Sequence, residues 1–236
     1  MKRLLPVIAV TATLALAGCS GGGSSESAGS SDSGSKPAAE DTQASTQLDE
    51  AALKKIIETT DFDGKTFKPV DTGAIDSGEA AKALEQAEFQ PAECKDLAMA
   101  GLNAAKASSG TMVVGIASDN TMSVGLSSFA DEQATSSQFS NSSKMAETCA
   151  DVTMKMQGME MKMSSKAFDA TVAGADETVG TTTSMEAGGA TAMSTQTVTA
   201  RVGNNVVTAA NLSPNGTEQD AVKVAEAAVA AVKNAG

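Results

Sequence analysis

From residue 47 onward the spacing of apolar positions changes repeatedly, and each change marks a boundary between elements. In QLDEAALKKIIETT, Leu48, Ala52, Leu53, Ile56 and Ile57 share one helical face, and Asp49 and Glu50 place negative charge in the first turn, where the helix dipole favours it. This predicts an amphipathic helix packed on the core. Gly, Pro and Asp punctuate FDGKTFKPVDTGAIDSG, which reads as loop. Short helices are expected over 79–87 and 92–107, the second carrying Cys94 near its start.

The period then drops to two. Folding GTMVVGIASDNTMSVGLSS about Asp119-Asn120, a pair that tolerates the left-handed backbone of a tight turn, sets Ala117 opposite Met122, Gly115 opposite Val124 and Val113 opposite Leu126. A Ser-rich stretch over 130–148 follows, in which Phe139, Ser142, Met145, Ala146 and Cys149 recur at helical spacing. DVTMKMQGMEMKMSSK folds about Gln157-Gly158, pairing Met156 with Met159, Met154 with Met161 and Val152 with Met163 on one face, and Lys155 with Glu160 on the other. Strands are expected over 166–171 and 177–186, and alternating Val and Thr either side of Gly203-Asn204 give another hairpin. In the last segment Thr217 can cap a helix whose stripe is Val222, Ala225, Val229 and Val232, with Lys233 and Gly236 suiting its end. The expected fold is α+β: an antiparallel sheet of about five to seven strands flanked by helices, in one domain over 47–236.

The first 46 residues have a different character. Lys2 and Arg3 precede an apolar run from Leu4 to Ala17, and small residues follow, the order of a secretory signal. As a helix this run would be about 21 Å long, against about 30 Å of hydrocarbon core, too short for a permanent span. Leu16-Ala17-Gly18-Cys19 resembles the lipobox of bacterial lipoproteins, which implies acylation of the Cys19 sulfur and cleavage just before it. Residues 1–18 are then a signal peptide and 19–46 a lipidated cysteine with a Ser/Gly-rich tether. The tether holds too little apolar surface to offset its ordering entropy, and its typical reach is about 30 Å. Since a single acyl chain is a marginal anchor, two or three are needed for stable attachment.

Charge and composition narrow the function. Loss of Lys2 and Arg3 with the signal takes the formal charge from −12 to −14. So acidic a protein repels phosphate backbones and anionic headgroups, which disfavours nucleic acid and leaves the lipid chains to hold the membrane. The chain has no His, Trp or Tyr. That removes histidine-based triads and histidine metal sites and weakens carbohydrate stacking. No Ser or Thr sits in a nucleophile motif, so the expectation is a non-enzymatic protein without a cofactor.

Two chemistries stay open. Cys94 and Cys149, the pair left after Cys19 is assigned, read as a disulfide in an exported protein; a two-Cys metal or redox site lacks a CxxC spacing and a third ligand. Met154, Met156, Met159, Met161 and Met163 are soft thioethers that can hold Cu(I), but methionine is more commonly core filler, in which case the five sulfurs lie buried under a helix. The sequons at Asn141, Asn211 and Asn215 are taken as chance.

The order of parts from Leu48 to Val232 resembles the extracytoplasmic sensor-domain family of actinobacterial lipoproteins, related to the external domain of PknH-like receptor kinases. The residues carrying the resemblance are Cys94, the GTMVVGIA strand, ETCADVTMKMQGMEMKMSSKAFDA, the GADETVG turn and VTARVGNNVVTAANLSPNGTEQDAVKVAEAAVAAV. The resemblance implies an antiparallel sheet with helices, a disulfide, a ligand cleft on the outer face and no enzymatic activity. The kinase domain's second disulfide is lacking here. The resulting expectation is a lipid-anchored protein of the extracytoplasmic membrane face, engaging a small ligand or envelope protein; carriage of a hydrophobic ligand is the other binding role.

Overall fold

The computed structural model describes residues 47–70, 77–107, 110–156, 159–187 and 190–236. Cys19 and the signal and tether assigned to 1–46 lie outside these residues. The chain runs α1 (Glu50–Thr59), β1 (Phe67–Val70), α2 (Ser77–Gln86), β2 (Glu88–Gln90), α3 (Glu93–Ala107), β3 (Thr111–Ala117), β4 (Met122–Ser128), α4 (Glu132–Thr148), β5 (Asp151–Met156), β6 (Met159–Phe168), β7 (Glu177–Ala187), β8 (Ala190–Val202), β9 (Asn205–Asn211) and α5 (Glu218–Ala235). The strands form one sheet in the order β1-β3-β4-β9-β8-β7-β6-β5-β2. Every neighbouring pair is antiparallel.

The nine strands exceed the expected five to seven, and the surplus lies at the two edges. β1 falls in a stretch expected to be loop: Phe67 pairs with Ala117 and Pro69 with Gly115. A proline reads as a breaker, yet an edge strand accommodates one because only one side of it must donate to a neighbour. β2, three residues long, closes the opposite edge against β5. The strand expected over 166–171 is the C-terminal part of β6, which runs without interruption from the methionine hairpin and ends at Phe168.

Helices cover both faces of one half of the sheet. α1 and α5 pack against β3, β4, β9 and β8, and between them lies the main core, with Leu53, Ile57, Phe62, Val124, Leu126, Val198, Val207, Val224 and Val229 inaccessible or nearly so. Asp49 caps α1 by accepting from the Ala52 amide at 2.8 Å. Thr217 and Asp220 form a reciprocal capping box that starts α5. Gly115 is required because a Cβ there would stand 2.5 Å from Ile57 Cγ2. Along β9 successive residues are buried on both sides: Val207 and Ala209 face the main core, while Val206 and Ala210 face the other way, where α4 crosses β9, β8 and β6. α4 contributes buried Thr135, Gln138 and Phe139 there. α3 leans on α4 and β2, and α2 on α3.

The predicted turns at Asp119-Asn120 and Gly203-Asn204 are present. Asn120 has φ of 57°, and the β3–β4 register pairs Val113 with Leu126 and Gly115 with Val124. Gly203 has φ of 55° between β8 and β9. Asn211, the middle of the three sequons, is 2% exposed and its amide donates to Thr217 O and Asp220 Oδ2, so it serves the α5 cap.

Candidate functional site

Cys94 is the second residue of α3 and Cys149 the C-cap of α4, and the two are bonded with Cα atoms 5.8 Å apart. Both are buried with Val152 in a small cluster against Phe89, Leu97 and Met145. The bond thus pins α3, α4 and the β2–β5 edge to one point, and it removes these sulfurs from thiol chemistry.

Beside this cluster the methionine hairpin has the register its sequence predicts: Met156 opposite Met159, Met154 opposite Met161, Val152 opposite Met163, and Lys155 opposite Glu160 at 3.6 Å between charged atoms. Its turn, 157–158, lies outside the described residues. Burial under a helix, expected of core filler, is incomplete. Met159 is 60% exposed and Met163 36% exposed, and Met154, Met156 and Met161 are half-buried. The reason is where α4 lies: it reaches β6 only as it crosses toward β8 and β9, and its Met145 goes to the disulfide cluster.

The sheet also brings in two methionines that sequence reasoning passed over. Met163 pairs with Met185 on β7, and Met185 pairs with Met193 on β8. Because side chains alternate between faces and direct partners share one, all seven methionines line the same face of β5–β8. Gly188-Gly189 in TSMEAGGATAMST signals a hairpin but not this register.

The opposite face of the same strands is polar beyond Phe168, Val198 and Ala200, which join the main core. Across it run Lys166, Thr182, Gln196 and Asn211 in register. The N-terminus of α5 meets this row, Thr182 Oγ1 donating to Glu218 Oε1 at 3.2 Å. A hollow of about 520 Å³ opens here, lined by Phe168, Asp169, Thr182, Gln196, Thr217 and Glu218 among others. Phe168 lies flat along β7 because its partner is Gly180, where a Cβ would stand 2.5 Å from the ring. Gln196 is 8% exposed; its Nε2 donates to Ser194 Oγ at 3.3 Å, and its Oε1 has no hydrogen-bond partner among the described residues. The Asp220 carboxyl is held below the usual range by the Thr217 amide first and the Thr217 hydroxyl second. The lining offers two carboxylates, amides and hydroxyls without Lys or Arg, which suits hydrogen-bonding neutral or cationic groups.

A smaller hollow of about 270 Å³ lies at the other side of α5, between Asp63, Lys65, Thr121, Asn211 and Asp220. Near it Lys65 Nζ donates to Asp119 Oδ2 at 2.7 Å, and this bond, followed by those from Thr121, holds the Asp119 carboxyl far below the usual range. Among the described residues no helix is long and apolar enough to cross a membrane, and no group of three or more His, Cys, Asp or Glu side chains could hold a metal ion.

No family model matches the chain, and no curated protein matches it. Among solved structures it is similar to the extracellular domain of PknH from Mycobacterium tuberculosis, at 16% identity and a TM-score of 0.40 over 52% of this chain and 64% of that one. It is also similar to a putative uncharacterized protein of Mycobacterium smegmatis, an Rv0999 ortholog, at 17% identity and a TM-score of 0.39 over 72% of this chain and 86% of that one.

Proposed function

We propose that the chain is a lipoprotein of the extracytoplasmic membrane face whose domain binds a ligand without chemical turnover. The observation that carries this reading is Leu16-Ala17-Gly18-Cys19 directly after an apolar run too short to span and directly before a polar tether. The Cys94–Cys149 bond supports it, because structural disulfides persist in oxidising compartments. Acyl chains on Cys19 hold the protein, and the tether sets a stand-off of about 30 Å.

The hollow at the start of α5 is the binding site in this reading. Its carboxylates at Asp169 and Glu218, and the buried acceptor of Gln196, favour a small neutral or cationic ligand rich in hydrogen-bond donors. A hydrophobic cargo would need a deep apolar cavity, whereas polar residues outnumber the apolar Phe168 and Val222 in one hollow and Met122 and Val224 in the other.

Cell fractionation of Cys19→Ala tests the anchor. The variant is expected to leave the membrane fraction or to accumulate with its leader uncleaved; equal membrane retention with an unchanged mature mass refutes the assignment. Turnover of an envelope substrate by the purified protein would refute the non-catalytic part.

A further inference from the structure

The seven methionines on one face of β5–β8 are more than half of the twelve in the chain. Their distribution argues against a filling role. The closed core between the sheet and helices α1 and α5 is built from Leu, Ile, Val, Phe and Ala, with Met122 as its one methionine. Methionine fills irregular gaps in interiors, so filler belongs there. Here it gathers instead where α4 covers the sheet only in part, beside Ser165, Ala167, Thr181, Thr183 and Thr195 on the same face. Met159 and Met163 stand exposed in it, and an exposed apolar patch is a liability unless it serves an interaction.

The geometry suits one interaction in particular. Met154 and Met161 are direct cross-strand partners, as are Met163 and Met185, and Met161 and Met163 are adjacent on the same face of β6. Direct partners have Cβ atoms about 4.5–5.5 Å apart and diagonal ones about 7–8 Å. With three rotatable bonds each, these four side chains can bring their sulfurs to one point above β6. The side chains beside them on this face are Phe89, Ala187, Val152, Ser165 and Thr183, the last two bonded to each other at 3.0 Å. Lys155, Glu160, Lys162 and Glu186 project from the opposite face. The block therefore offers soft donors, no carboxylate that would select a hard cation, and no ammonium that would repel one.

We propose that the thioethers of Met154, Met161, Met163 and Met185 form a binding site for a soft monovalent d10 cation, Cu(I) in chemical class, with Met156, Met159 and Met193 flanking it as further soft donors. The site binds the ion as it arrives and changes no oxidation state. It is independent of the lipid anchor and of the polar hollow on the other face, so either reading can fail alone.

Ag(I), which is soft, monovalent and redox-stable, is the probe. The full chain is purified in detergent with Cys19→Ser, so that with Cys94 and Cys149 bonded no free thiol competes. Titration against free methionine as competitor is expected to show one equivalent bound, with the ε-methyl resonances of the four central methionines shifting. Met161→Leu, Met163→Leu and Met185→Leu together keep volume and hydrophobicity. They are expected to weaken binding by about 100-fold or more, given that loss of even an outer-shell partner costs about 10–100-fold. Binding no tighter than to free methionine, or equal binding by the leucine variant, overturns the site. Should the triple variant not fold, the wild-type methyl shifts still decide: shifts confined to Met99, Met112 or Met122 overturn it as well.

Discussion

Replacing Cys94 and Cys149 together by Ala removes the one covalent link between the β2–α3 corner and the end of α4. The bond joins positions 55 residues apart. In the chain-entropy model, freeing a loop of that size destabilises by about 4 kcal/mol. The two sulfurs are also buried, so their removal leaves a small void beside Val152 worth about 1 kcal/mol more. For a domain of this size the sum corresponds to a fall in Tm of about 10–20 °C. The loss is not expected to be uniform. The main core touches neither cysteine, whereas β2 and α3 depend on the small cluster of Phe89, Leu97, Met145 and Val152 and on a three-residue pairing with β5. Amide exchange should therefore show residues 88–100 losing protection first, with β4 and β9 retaining theirs until global unfolding. Thermal unfolding and amide-exchange mass spectrometry measure the two. A Tm within about 3 °C of the parent, or simultaneous loss of protection in β9 and α3, refutes the view that this corner is held chiefly by the disulfide.

Two further outcomes follow from the packing and the charges. Gly115→Ala forces a methyl into Ile57 and should lower stability by about 1–3 kcal/mol in urea titration by shifting α1 off β3, whereas Gly125→Ala, with no atom nearer than 3.8 Å, should cost clearly less. Asp119 and Asp220 both have carboxyl groups held below their ordinary value by hydrogen bonds, from Lys65 first and from the Thr217 amide first respectively. Their contribution is complete above an ordinary Asp pKa of about 3.9 and disappears as pH falls through the folded values, so urea midpoints should drop below pH 4 and Asp119→Asn with Asp220→Asn should flatten that drop.

Much of the fold was readable because local signals and tertiary packing agree. The helix at α1 and the α5 cap at Thr217 follow from spacing and capping chemistry, and Asn120 and Gly203 take the left-handed conformations that their turns demand. The register of the β5–β6 hairpin follows from the requirement that its apolar set share one face. The edge strands escaped for a physical reason. β1 contains Pro69 and β2 has three residues, so neither has enough alternation to stand out; both exist because β3 and β5 would otherwise present an unpaired edge. The polar hollow could not be read either, since Phe168, Gln196 and Glu218 come from two strands and a helix whose meeting depends on the whole sheet.

The methionine face was half readable, and the missing half shows how it is built. β6 and β7 are joined through residues 169–176, a connection too long to fix register by turn type, so nothing local places Met185 beside Met163. Between β7 and β8 the turn at 188–189 would, in a regular hairpin pairing Ala187 with Ala190 and Glu186 with Thr191, set Ala192 opposite Met185 and Met193 opposite Ser184 on the other face. The observed register shifts between Met185 and Glu186, so that Ala192 is the extra residue and Met193 meets Met185. A bulge costs ladder hydrogen bonds and is used to re-aim a side chain. Here the side chain it re-aims is a methionine, and the row it completes is Val152, Met163, Met185, Met193 across four strands. A sheet that needed only apolar cover at this position could have kept the regular hairpin with Ala192 facing Met185; the irregular one extends the line of sulfurs by one.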